Sequence, residues 1–303
     1  MSNRAARGVA AVFLVSTFSA SVAHADRTIA VEVAASSTAK GKNDKFAAWR
    51  AVDGSTGTAW CEGKGDEGLD ETLKLTLAEP IVVTRIDLYV GLHGSAKAYK
   101  ENNRPSKLFA QTAVKTGEPM VLLAKAVPIV SDHDKLVKLD LKTPRTVQVL
   151  ELGLAGVTRG DKTKVNQTCV TDVSVVGEKG EVIAFAYGMP VDAMKSLPAG
   201  LAAVRAAVAA CDEKALAAAV KFPLSHSVAA EEDSRTVKLK NAKALAKACK
   251  AGDFPKIPDS ADRAGISPSG PGRVTLETDS DTVIRVDMVW NKGAWQLAAM
   301  ESY

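Results

Sequence analysis

Apolar and polar residues alternate along much of the first half of the chain, from about Thr28 to Tyr187. The clearest runs, at residues 73–77, 86–90 and 137–141, place an apolar residue at every second position. A period of two puts the apolar side chains on one face of a β-strand. Further runs of strand length follow one another at short intervals: residues 29–34, 108–114, 120–124, 147–154, 170–176 and 182–187. Many short strands with one short helix, at 45–51, predict an all-β sandwich.

The pattern changes after residue 187. Residues 188–199 are rich in Gly and Pro and predict a linker. Apolar residues then follow a helical spacing from Leu201 to Cys211, and a second helix is expected at 213–221 with Asp212 as its cap. A third helix is expected after Asn241. A terminal hairpin turns at 291–293, so residues 200–303 predict a small α+β domain.

The first 25 residues have the pattern of a secretory signal peptide. Arg4 and Arg7 form a positive region, residues 8–20 are apolar or small, and Ala23-His24-Ala25 fits a cleavage site. The sequence therefore predicts an exported protein, either periplasmic or extracellular.

The charge balance narrows the possible partners. The net charge is +4, and removal of Arg4 and Arg7 would leave a nearly neutral chain. A nucleic-acid-binding protein normally needs a basic face or stripe, so no nucleic-acid partner is expected. The apolar run near the N-terminus is short for a membrane span and nothing comparable follows it, so the chain is not expected to span a membrane.

Four cysteines, Cys61, Cys169, Cys211 and Cys249, permit three pairings into two disulfides. Export makes disulfides plausible, and we expect one in each half of the chain, Cys61–Cys169 and Cys211–Cys249. The alternative is four buried free thiols. The spacing is unlike that of a zinc site.

Three segments together resemble a known family. They are AVDGSTGTAWCEG at 51–63, IDLYVG at 86–91 and YKENNRP at 99–105. They are similar to the discoidin-type (coagulation factor 5/8 type C-like) domain that precedes the catalytic region of streptococcal NAD glycohydrolase. The resemblance covers about half of the chain, and no glycohydrolase catalytic domain is visible. It implies a galactose-binding-like jelly roll at residues 26–187 and a glycan or cell-envelope polysaccharide as ligand.

The resemblance and the mixture of polar and aromatic groups around residues 91–105 also suggest where a ligand would bind. The expected contacts are Trp60, Glu62, His93, Tyr99, Lys100, Asn103 and Arg104. The alternative is a structural loop in which Tyr99 covers the core and Arg104 pairs with an acid such as Glu62. Trp60 is more often a core residue than a sugar platform.

Related jelly rolls can hold a structural calcium ion at an Asp-Gly turn. The matching residues here are Asp53, Thr58 and Asp172. Oxygen-rich sites of this kind suit a hard cation. The alternative is a turn in which Asp53 bonds its own backbone and no metal binds. No other cofactor is expected.

The C-terminal region resembles the NTF2-like cone, and a protein partner could bind there. The main functional hypothesis is an exported, non-catalytic protein that binds a glycan through its sandwich. One alternative is an enzyme with a catalytic NTF2-like cone, although His226 is the only histidine in that region. Another is a purely structural envelope protein.

Overall fold

The computed structural model describes residues 27–128, 132–162, 167–228, 234–259, 261, 265–278 and 282–302. The predicted signal peptide, residues 1–25, lies outside the described residues.

The first half of the chain forms an eight-stranded antiparallel and parallel assembly with one short α-helix. Its elements are β1 (Arg27–Ala35), β2 (Trp60–Cys61), β3 (Thr72–Val90), α1 (Ala96–Glu101), β4 (Arg104–Ala113), β5 (Val121–Pro128), β6 (Val137–Thr158), β7 (Cys169–Gly177) and β8 (Val182–Ala186). The strand order is β2-β7-β8-β1-β3-β6-β4-β5, with an additional β3–β7 pairing. The strands predicted at 73–77, 86–90 and 137–141 are confirmed within β3 and β6.

The two long strands, β3 and β6, each take part in both layers of a β-sandwich. The first part of β3 pairs with β1 and β6, and after a register shift between Thr76 and Ile81 its second part pairs with β7 as well as β6. β6 pairs with β3, and its second part also pairs with β4. The inner faces of both layers enclose one hydrophobic cluster that includes Leu75, Ile86 and Val173. The alternating pattern of the sequence therefore produces a β-sandwich.

The connections that matter for function lie at one end of the sandwich. Ser36 N donates to Thr72 O at 3.0 Å, and Gly91 N donates to Cys169 O at 2.9 Å. Arg104 is paired with Thr158 across β4 and β6. These contacts bring residues 36–71, 91–103, 159–162 and 167–168 together, and we call this region the loop end.

The second half has its own sheet and hydrophobic cluster. Its elements are α2 (Leu197–Ala210), α3 (Glu213–Ala219), β9 (Val220–Val228), β10 (Arg235–Leu239), α4 (Ala242–Ala251), β11 (Gly265–Gly270), β12 (Arg273–Glu277), β13 (Val283–Asn291) and β14 (Ala294–Ser302). The strand order is β10-β9-β14-β13-β12-β11. Asp212 caps α3 by accepting from Ala215 N at 2.8 Å, and Asn241 caps α4 by accepting from Ala244 N at 3.0 Å.

Two local expectations need correction. The helix expected at 213–221 ends at Ala219, because Val220 already belongs to β9. The helix expected at 45–51 is replaced by two 3₁₀ helices, Lys42–Asp44 and Ala48–Val52. Ala47, inside the expected helix, has φ −57° and ψ 151°, an extended conformation that interrupts a continuous α-helix.

Residues 188–199, where the sequence suggests a linker, are packed against the second cluster. Ala193–Ser196 is a 3₁₀ helix, and α2 begins directly after it. Met189 and Ala193 are buried in the second cluster, and Trp295 Nε1 donates to Ala193 O at 2.8 Å. Gly272 N also donates to Tyr187 O at 2.7 Å, so the two sheets meet near this segment.

One of the two expected disulfides is present. Cys61 and Cys169 face each other across β2 and β7 and are bonded, with an S–S distance of 2.03 Å. The expected Cys211–Cys249 disulfide is wrong, since both cysteines are free thiols. Cys211 ends α2 in a left-handed conformation, and its Sγ donates to Val208 O at 3.5 Å. Burial, together with the neighbouring Cys211, raises the pKa of Cys249 to about 12.

Candidate functional site

The Asp-Gly turn at the loop end is closed by its own side chains. Asp53 Oδ1 accepts from Ser55 N at 3.0 Å and from Thr58 Oγ1 at 2.7 Å. Gly54 has a φ of 69°, a conformation that favours glycine. Trp60 is buried, and its Nε1 donates to Ser37 O at 2.9 Å. The turn is therefore fastened to the core, and the indole is not free to act as a sugar platform.

A second carboxylate lies beside this turn. Asp172 Oδ1 accepts from Gly54 N at 3.2 Å. Burial and the nearby Asp53 charge raise the pKa of Asp172 to about 7, although the amide of Gly54 opposes the shift. Arg50 Nη1 lies 3.4 Å from Asp53 Oδ2 and provides a compensating charge on the other side.

The three residues expected to bind calcium are already engaged in contacts within the protein. Both oxygens of Asp53 accept from the Thr58 hydroxyl, and the Arg50 guanidinium already neutralises Asp53. Among the described residues, no group of three or more His, Cys, Asp or Glu side chains is placed to hold a metal ion. The arrangement fits a self-bonded Asx turn better than a calcium site, and calcium binding stays a prediction.

Most of the expected ligand contacts are buried. The exposed fractions are 1% for Trp60, 0% for Glu62, 4% for His93, 5% for Tyr99 and 3% for Asn103. Lys100 is exposed and Arg104 is half-buried. Of the seven side chains, only Lys100 and Arg104 reach the surface, while the other five lie beneath it.

Glu62 and Asn103 hold separate loops together. Glu62 accepts from Thr168 N at 3.0 Å and from Lys64 N at 2.8 Å, and burial raises the pKa of its carboxyl. Asn103 Oδ1 accepts from Gly160 N at 2.9 Å. The alternative in which Arg104 pairs with Glu62 is wrong, because the Arg104 guanidinium lies over the Tyr99 ring, 5.0 Å from its centre.

His93 is fixed by the loop after β5. Its Nε2 lies 3.0 Å from Val90 O, and its Nδ1 accepts from Asp134 N at 3.2 Å. Because a carbonyl accepts and an amide donates, these contacts require a neutral ring with hydrogen on Nε2. His133 stacks on His93 with ring centres 5.6 Å apart. No local signal in the sequence links His133 to a residue so distant along the chain.

We expect mild acid to release this loop. Burial lowers the pKa of His93, so the unfolded or opened chain binds a proton more readily than the native one. The hydrogen bond from Asp134 N to His93 Nδ1 therefore contributes its full stability above about pH 6.5, and this contribution falls as the pH falls below that value. Hydrogen exchange at the Asp134 amide, corrected for intrinsic rates, should accelerate in acid. His133→Gln leaves the His93 contact in place and should keep this pH dependence, whereas unchanged protection in the wild type contradicts the prediction.

Several cationic side chains cluster around α1 at the loop end, although the loop end also exposes Asp66, Asp70 and Asp161. α1 carries Lys97 and Lys100, and Lys162 approaches from the loop after β6. Lys97 Nζ and Lys162 Nζ lie 3.8 and 3.9 Å from the Glu101 carboxylate. Lys100 O accepts from Asp161 N at 2.8 Å, which holds the two loops side by side. We call Lys97, Lys100, Arg104 and Lys162 the cationic rim.

The histidine of the second half lies in the core. His226 is buried, and its Nε2 lies 2.7 Å from Ser302 Oγ. Phe254 contacts the edge of its ring, and burial lowers the pKa of His226. The contacts fix a neutral histidine inside the core rather than exposing a base to substrate. Within the described part of the chain, no helix is long and apolar enough to span a membrane.

Solved structures of carbohydrate-binding modules resemble about half of this chain. The chain is similar to chitosan-binding module 1 of a chitosanase/glucanase from Paenibacillus sp. IK-5, with 18% identity over 48% of this chain and 93% of that chain, and a TM-score of 0.34. It is also similar to the family 32 carbohydrate-binding module of NanJ from C. perfringens in complex with galactose, with 15% identity, 48% and 92% coverage, and a TM-score of 0.36.

No curated protein sequence matches the chain. The family model for the NAD glycohydrolase translocation F5/8 type C domain, however, matches residues 24–176. The match covers just over half of the chain and contains the Asp-Gly turn, the cationic rim and both bonded cysteines. The chain therefore belongs to the NAD glycohydrolase translocation F5/8 type C domain family.

Proposed function

We propose that this protein is an exported, non-catalytic binding protein whose sandwich binds a glycan or cell-envelope polysaccharide at the loop end. The observation that carries the proposal is the placement of Lys100 and Arg104 at the surface of loops that are fixed from below. His93, Asn103 and the Cys61–Cys169 disulfide fasten those loops to the sandwich. A preorganised site loses little conformational entropy on binding.

The charge of the cationic rim favours an acidic polysaccharide over a neutral one. Lys97 and Lys162 pair with Glu101, whereas Lys100 has no described carboxylate within ion-pair distance. Guanidinium and ammonium groups form strong, charge-assisted hydrogen bonds with carboxylates. Uronic acid units supply such carboxylates at regular spacing, so several weak contacts along one polymer would reinforce one another.

Export is part of the proposal. The Cys61–Cys169 disulfide is characteristic of an oxidising compartment, and the N-terminal sequence has the pattern of a signal peptide. A protein partner for the second half stays a prediction, as does its NTF2-like character. The enzymatic alternative has less support, since His226 is enclosed and bonded to Ser302.

A purely structural role is the second candidate, because five of the seven expected ligand contacts are buried. The two candidates differ in what happens when the rim is neutralised. Under the binding proposal, Lys100→Ala with Arg104→Ala leaves the melting temperature nearly unchanged and weakens binding at least about tenfold. Affinity electrophoresis on polygalacturonate and on neutral galactan measures this directly.

Lys179→Ala is the matched control, because Lys179 is exposed in the turn between β7 and β8 at the opposite end of the sandwich. It should bind like the wild type. Salt should weaken binding of the wild type more than that of the double variant. A folded protein that binds neither polysaccharide, nor any member of a glycan array, would contradict the binding proposal and favour the structural role.

A further inference from the structure

The open side of the sandwich contains a slot between two strand edges. β5 is the last strand of its sheet and pairs with β4. Residues 137–140 of β6 pair with β3, and no described strand pairs with their other edge. Between these edges lies an open cavity of about 520 Å³. This edge slot is lined by Ile86, Ala110, Leu122, Leu123, residues 138–143 and Arg145.

The floor and one wall of the edge slot are apolar. Ile86 and Ala110 are buried at its floor, and Leu139 and Leu141 are half-buried along β6. Leu122 is 51% exposed. Exposed apolar side chains on an edge strand promote pairing with another chain, and natural proteins usually cover or interrupt such edges.

The mouth of the slot is positively charged. Lys138, Lys142 and Arg145 are exposed, and none has a described carboxylate within ion-pair distance. Asp140 lies in the same strand, but its charge acts on Arg85, whose guanidinium is held by Asp87 at 2.6 Å. The slot therefore favours an occupant that combines apolar groups with negative charge.

Backbone chemistry distinguishes between two such occupants. A fatty acid would cover the strand edge of β6 with hydrocarbon and leave its outward amide and carbonyl groups without partners. Each buried, unpaired group costs about 1–3 kcal/mol. An added β-strand satisfies those groups and places alternate side chains toward the slot. We propose that the edge slot binds an extended segment of a partner protein, with alternating apolar and acidic side chains, as an additional strand along β6.

A synthetic peptide of about eight residues, alternating Glu and Val, tests this proposal by fluorescence anisotropy with the full chain. We expect saturable binding that weakens at least about tenfold when Lys replaces Glu in the peptide. N-methylation of alternate peptide amides should have a similar effect, since it removes backbone donors. In the protein, Lys138→Glu with Lys142→Glu should also weaken binding at least about tenfold, whereas Lys179→Glu should not.

Leu122→Asp provides an independent variant, because its side chain is half exposed and the substitution should leave the fold intact. Peptide binding should be lost in this variant. Equal binding of the acidic, basic and N-methylated peptides would overturn the proposal. So would binding of laurate without binding of peptide, or a dimer of the pure protein that Leu122→Asp dissociates, because the occupant would then be a lipid or a second copy.

Discussion

Replacing both bonded cysteines, Cys61→Ala with Cys169→Ala, should lower the free energy of unfolding by about 5 kcal/mol. The disulfide closes a chain segment with a sequence separation of 108 residues, so its removal greatly increases the entropy of the unfolded state. The native state also loses packing, because both side chains are fully buried. Urea denaturation followed by tryptophan fluorescence measures the change. A loss of this size approaches the whole stability of many domains.

The two free cysteines provide a matched control. Cys211→Ala with Cys249→Ala removes the same number of sulfur atoms from half-buried positions without opening a covalent loop. This variant should lose no more than about 2 kcal/mol, the ordinary cost of truncating partly buried side chains. Equal losses in the two double variants would show that packing, rather than the covalent link, accounts for the effect.

Removing the Cys61–Cys169 disulfide should weaken polysaccharide binding less than it lowers stability, when binding is measured at a low temperature where the variant is still folded. Cys61 and Cys169 tie β2 to β7, and residues 62–71 continue from β2 into the loop end. Glu62 would still bond Thr168 N, and Asn103 would still bond Gly160 N. The folded fraction of the variant should therefore retain binding to the acidic polysaccharide, so the disulfide contributes stability and the cationic rim contributes recognition.

The sandwich could be predicted because its strands carry a local signal. In β3 and β6, period-two alternation reflects which side chains face the core, and that alternation is present in the sequence without any knowledge of the partner strand. The pairing of Cys61 with Cys169 followed from the expected export and from expecting one disulfide in each half of the chain. The second pairing failed because proximity does not guarantee bond formation: Cys211 ends a helix and bonds Val208 instead.

The candidate site was harder to predict because burial at the loop end is decided by distant segments. Tyr99 and His93 have the composition of sugar contacts, yet the loop carrying His133 packs against both rings. Glu62 was predicted to contact a ligand, but its buried carboxylate accepts from the amides of Lys64 and Thr168. Such contacts join residues many positions apart, and neither periodicity nor composition reports them. Lys100 is exposed on α1, and Arg104 is half-buried at the start of β4.

Asp172→Asn should stabilise the protein above about pH 7. The pKa of Asp172 is raised from 3.8 to about 7 in the folded state, so the folded protein binds more protons than the unfolded one between these values. Its free energy of unfolding therefore falls as the pH rises from about 4 to 7. The shift corresponds to about 4 kcal/mol, and because Asp172 is only partly enclosed, we expect an effect of about 2 kcal/mol. Asparagine retains an acceptor for Gly54 N without the charge.

Thermal melts at several pH values check this result, with the exposed Asp253→Asn as control. The control should follow the wild type, whereas Asp172→Asn should show a flatter profile and a higher melting temperature at about pH 8. If calcium binds at this turn, we expect the opposite result, with the wild type more stable than Asp172→Asn. A cation held by Asp53 and Asp172 would keep both carboxylates ionised, raise the melting temperature of the wild type and be lost in Asp172→Asn. Stabilisation of the wild type by calcium, reversed by chelation and absent in the variant, would therefore replace the self-bonded turn with a metal site.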